Sequence, residues 1–84
     1  MSAEVAHAAI AVLRGLVGPA MAVVYVSQAA HALGKDLESL EPSDADGLCV
    51  ELRKLMSGYC SLAMLEDMCE DVHRQMAAAA SGSA

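Results

Sequence analysis

Between Ser2 and Leu33 only Glu4 and Arg14 carry a charge, and the apolar positions recur with helical spacing. Val5, Ala9, Val12, Leu16, Val23 and Ala30 fall on one face, with Leu13, Ala20 and Val24 on its flank. A helix this long and this apolar must be covered, and that requirement governs what the chain can fold into. Pro19 interrupts it, because proline cannot donate to the carbonyl of Gly15 and its ring crowds that turn. The sequence predicts a kink at Gly18-Pro19, or a short break with Gly18 as cap and Pro19 opening a second helix.

The apolar material suits helices. It makes up 56% of 84 residues, yet the only aromatic side chains are Tyr25 and Tyr59, so Ala, Val, Leu and Met supply nearly all of it. Ala, Leu and Met are strong helix formers, and clusters of β-branched residues are scarce outside 22–26. A membrane span over residues 8–26 is long enough for a hydrocarbon core of about 30 Å. Arg14 stands in its middle, however, at a cost of about 2.5 to 3.5 kcal/mol on insertion scales, and alanine offsets little of that. Membrane association through helix 1 is kept as a secondary expectation.

A stripe of small residues, Ala11, Gly15, Gly18, Ala22 and Ala29, follows spacings of four, three, four and seven along the same segment. Such a stripe lets a second backbone approach closely. Glycine within a helix costs about 1 kcal/mol relative to alanine, which a close contact would offset. Ala11, Gly15, Gly18 and Ala22 are therefore expected at an oligomer interface.

The composition changes at Gly34, which suits the position just past a helix end. Residues 34–43 form an acidic, turn-rich loop containing Pro42, whose Leu37 and Leu40 can fold back as a short helical turn. Ser43 or Asp44 then resembles an N-cap, with Asp46 as a capping-box acid, and one amphipathic helix is expected over about 44–79. Its seam runs through Leu48, Leu52, Leu55, Tyr59, Leu62, Leu65, Cys69, Val72 and Met76, opposite Arg53, Ser57, Asp67, Asp71 and Gln75. Residues 81–84 read as a tail. The expected fold is all-α: a single helical domain over 1–80, an antiparallel hairpin of helix 1 (about 2–33) and helix 2, pairing with a second hairpin into a four-helix bundle. Leu52, Leu55, Tyr59 and Leu62 join the expected oligomer interface.

Charge and cysteine content exclude several function classes. Five basic and 11 acidic residues give a formal charge of −6, which repels nucleic acid and anionic lipid, and no basic stripe offsets it. Three cysteines without a CxxC spacing argue against a disulfide framework and for a reducing compartment. If Cys49, Cys60 and Cys69 share one helix, no two of them can meet. No basic region precedes the first apolar run, so a cytoplasmic location is expected.

Few residues could carry chemistry. Glu66, Cys69 and His73 project from one helical face at spacings of three and four, the geometry of three metal ligands, with His31 or a symmetry mate as a fourth. Cys69 also falls on the apolar seam, where a free cysteine packs as a small hydrophobe. Cys49 and Cys60 are placed near the polar side, with Arg53 four residues after Cys49 as the sole neighbouring cation. His31 resembles in outline a phosphoryl-accepting histidine on a helical bundle, but the basic and glycine residues that would follow are missing, and a side chain capping helix-end carbonyls is expected. No nucleophile motif, phosphate loop or dinucleotide fingerprint occurs, so no catalytic residue and no cofactor are expected. Met64 and Met68 are the candidate partner-binding residues, while Met56 reads as core. These features point to a small homo-oligomeric interaction protein of adaptor or chaperone type, with metal or redox sensing through Cys69 and His73 as the alternative.

Overall fold

Pro19 does more than bend the first apolar segment. In the computed structural model, which describes residues 4–81, it ends one helix and starts another: α1 spans Glu4–Val17 and α2 spans Pro19–Ala32. Gly18 is the N-cap of α2 at φ 89°, a left-handed conformation that side chains resist, and Pro19 follows where a missing N–H costs nothing. The break shifts the helical phase. The buried face of α1 is Ala6, Ala9, Ile10 and Leu13, and that of α2 is Ala22, Tyr25, Val26, Ala29 and Ala30. Leu16 and Val23, expected on one continuous buried face, are both exposed as a result.

Gly34 closes α2 with φ 76°, the Gly34 N–H donating to the His31 carbonyl at 2.9 Å and the Lys35 N–H to the Ala30 carbonyl at 3.0 Å. These backbone bonds satisfy the helix-end carbonyls. The His31 side chain, expected in that role, is exposed instead. Two 3₁₀ turns follow, Leu37–Ser39 and Pro42–Asp44. Asp36 and Ser39 cap the first turn reciprocally, and Leu40 folds back into the core. The expected Ser43–Asp46 capping box does not form. Asp44 occupies the N-cap position of the next helix, but its carboxylate turns back to accept from Lys35 Nζ at 2.8 Å and from the Glu41 N–H at 2.9 Å.

The expected second helix over 44–79 is also two helices, α3 (Ala45–Met56) and α4 (Leu62–Ser81). Ser57 and Gly58 are poor helix formers, and Ser61 starts afresh: its Oγ accepts from the Met64 N–H at 3.3 Å and its carbonyl from the Leu65 N–H at 3.0 Å. The chain reverses there, so Tyr59 and Leu62 leave the seam for the surface while Leu65 stays buried.

The four helices form a closed ring in which α1 packs on α2 and α4, and α3 packs on α2 and α4. The fold is an all-α bundle, and its four helices come from one chain. Fully buried Ala6, Ala9, Ala22, Ala29 and Ala30 on α1 and α2 face a layer of Leu48, Leu52, Met56, Met68, Val72 and Met76 on α3 and α4. Leu13 and Val26 add larger buried side chains to the alanines of α1 and α2, and the mixture of sizes fills the core. Gly47 packs close beneath the end of α2, where an added Cβ would lie 3.0 Å from Leu33 Cδ2 and press that side chain aside. No polar side chain among the described residues is buried. The radius of gyration, 11.5 Å, matches the roughly 12 Å expected of a self-contained domain this long. No helix among the described residues is long and apolar enough to cross a membrane. With 14 residues each, α1 and α2 are about 21 Å long against a hydrocarbon core of about 30 Å.

Candidate functional site

The turn at 57–61 folds α4 back along α3, and this brings together two cysteines that a continuous helix would have held apart. Cys49 on α3 and Cys69 on α4 are both buried free thiols, and Cys49 Sγ lies 3.8 Å from the Cys69 carbonyl oxygen. Cys49 is therefore not on the polar side. Burial first, and then hydrogen bonding with the Cys69 thiol, push its thiol up to about 12. Cys60 is half-buried at the turn.

Cys69 forms part of the floor of an open groove of about 690 Å³, bounded by Arg53, Glu66, Glu70, His73 and Arg74. His73 Nε2 lies 3.1 Å from Asp46 Oδ1 at the start of α3, and Arg74 pairs with Asp71 at 3.0 Å. Glu66, Cys69 and His73 thus share one groove, as their spacing suggests. They do not converge as ligands: among the described residues no three His, Cys, Asp or Glu side chains gather as a metal ion requires. Buried Cys69 faces α3, and His73 is turned to Asp46.

A second cleft, about 280 Å³, lies between α1 and α4 and is lined by Val12, Gly15, Leu16, Met64, Asp67, Met68 and Asp71. It unites Met64 and Met68 with Gly15, which the sequence assigns to partner and oligomer surfaces. Met68 is buried at 2% exposure, whereas Met64 is 45% exposed at the rim. The remaining interface candidates scatter. Ala22 and Leu52 lie wholly inside the chain's own core, Leu55 is half-buried, and Ala11, Tyr59 and Leu62 are exposed. No atom of another element lies within 4 Å of where a Gly15 or Gly18 Cβ would sit, so neither glycine marks a close approach of two helices of this chain, while Ala22 and Ala29 of the same stripe are fully buried in its core. Gly18 is required by its backbone angle instead.

Val23, Ala20 and Val24, expected on the apolar face of helix 1 and its flank, lie instead on the exposed outer face of α2. The N-terminal half of this helix carries no polar side chain, and Met21, Val23 and Val24 are exposed there at 40%, 42% and 41%, whereas Gln28 and His31 are exposed in its C-terminal half. The signal for this face is the charge gap of the first apolar segment, since residues 15–34 contain no Asp, Glu, Lys or Arg. The chain matches no protein-family model, no curated protein and no solved structure.

Proposed function

We propose that this chain is a small, non-catalytic helical interaction protein of adaptor or chaperone type, acting in the cytoplasm and self-associating through the outer face of α2. The observation that carries this is the apolar, uncharged surface formed by Ala20, Met21, Val23 and Val24. An exposed cluster of large apolar side chains with no charge among them marks a surface that another surface covers. Total accessible surface is 4663 Å², close to the roughly 4,700 Å² expected of a folded monomer of this mass, so association adds to a core already complete.

A second copy is the occupant favoured by charge. Two chains of net −6 repel wherever their acids face each other, and a patch drawn from the uncharged stretch 15–34 is where they meet without that cost. The α1–α4 cleft with Met64 at its rim then serves other partners, since thioethers accommodate varied apolar surfaces.

Sedimentation velocity over a concentration series tests this. The chain is expected to sediment as a dimer or larger species, and Val24→Glu, at an exposed position, to return it to monomer with its helical circular dichroism unchanged. A wild-type chain that stays monomeric at the highest concentration would overturn self-association.

A further inference from the structure

We propose that Cys49 and Cys69 are a dithiol pair that closes reversibly to a disulfide by exchange with a low-molecular-weight aminothiol disulfide admitted through the groove between α3 and α4. The placement of the two thiols comes first. They sit on adjacent antiparallel helices, with Cys49 Sγ 3.8 Å from the Cys69 carbonyl oxygen. A thiol packed against the backbone of the other cysteine has that residue's sulfur as its nearest candidate for a cross-link.

Both cysteines are 5% exposed, and the groove assigns the roles. Cys69 borders the groove, whereas Cys49 borders none of the grooves described above. Cys69 is the attacking thiol and Cys49 the resolving one. Desolvation keeps Cys49 protonated until a mixed disulfide forms beside it.

The groove also carries a matching ligand chemistry. Its rim holds two guanidinium groups, Arg53 and Arg74, and two carboxylates, Glu66 and Glu70, with His73 beside them. Arg74 is engaged by Asp71, which leaves Arg53 as the guanidinium for a ligand carboxylate, while Glu66 and Glu70 suit an ammonium. A molecule bearing both charges on a short thiol-containing skeleton fits that arrangement. At about 690 Å³ the groove is in the usual small-ligand range of about 300–1,000 Å³.

The exchange balances without another reagent. Cys69 releases its proton to water and its thiolate attacks one sulfur of the external disulfide, forming a mixed disulfide and expelling a thiolate that takes up a proton. Cys49 then releases its proton and attacks the Cys69 sulfur, expelling the second external thiolate, which is protonated in turn. Two protein thiols are oxidised and one external disulfide is reduced to two thiols. Excess external thiol reverses both steps.

The probe is oxidised glutathione in a graded glutathione buffer, applied to the native full chain, with acid quench, alkylation, intact mass and peptide mapping. The wild-type chain is expected to lose two hydrogens, with the cross-link mapping to Cys49 and Cys69. Cys49→Ser is expected to stop at a glutathione adduct on Cys69, and Cys69→Ser to yield neither that cross-link nor an adduct on Cys49. Cys60→Ser should behave as wild type. A chain that stays reduced in the most oxidising buffer, a cross-link through Cys60, or a Cys49–Cys69 bond formed only in denaturant would each overturn the proposal. The wild-type measurement decides the pairing even if a serine variant fails to fold, and Cys49→Ala keeps the buried site apolar for the adduct experiment.

Discussion

The rings of Tyr25 and Tyr59, the chain's only aromatic side chains, meet edge to face with centroids 6.1 Å apart and planes at 70°. Tyr25 is buried in α2 and Tyr59 lies 69% exposed on the turn between α3 and α4, so the pair pins that turn to the second helix. Hydrogen bonding to Tyr59, then burial, holds the Tyr25 hydroxyl at about 12 rather than 10.0.

Tyr59→Phe removes the larger of those causes and leaves one titrating phenol. Its ultraviolet titration midpoint is expected above 10.0 but clearly below about 12. Because the folded value is raised, the associated stability is complete below pH 10.0 and is lost as pH rises towards about 12. Alkaline unfolding monitored by circular dichroism should begin in that window.

At the acid end, the Lys35 ammonium beside Asp44 holds that carboxyl below its ordinary value, and hydrogen bonds from Ser39 do the same for Asp36. Stability from both is present above the usual carboxylate range and lost as pH falls through their lowered folded values. Asp44→Asn should remove much of this acid dependence, which denaturant midpoints measured from neutral to acid pH would reveal.

Leu52 and Leu62 are three and four-residue steps from their seam neighbours, yet the structure separates them completely. Leu52→Ala opens a cavity among fully buried side chains and is expected to cost about 2–5 kcal/mol in chemical denaturation. Leu62→Ala, at a residue 66% exposed, should stay within about 0.5 kcal/mol of wild type.

The glycines divide in the same manner. Gly34→Ala forces a side chain into φ 76° and should destabilise the chain by about 1–2 kcal/mol. Gly15→Ala meets nothing within 4 Å inside a helix and should stabilise the monomer by up to about 1 kcal/mol. Thermal melts of the two variants should therefore move in opposite directions.

Helix content, the Gly18-Pro19 break, the Gly34 stop and most of the α4 core were legible because each rests on local backbone chemistry or on a run of spacings. The reversal at 57–61 was not, since Leu55, Tyr59 and Leu62 keep helical spacing straight through it. Ser57, Gly58 and Ser61 were the signal against continuity, and periodicity masked it. The thiol groove was hidden for the same reason: Cys49 and Cys69 approach each other only after α4 has turned back. The exposed side of α2 escaped because spacing finds the apolar face of a helix, and in the first half of α2, Pro19–Val26, no polar residue contrasts with it.

Five residues separate α3 from α4, and they decide which copy of α1 receives α4. The apolar side of α4 fits α1 whether the two belong to one polypeptide or two. A linker too short to reverse would leave residues 45–81 as one extended rod, and its far half would complete the bundle of a neighbour that returns the same element. Deleting residues within 57–61 is thus a route to an exchanged dimer built from the contacts of the single chain.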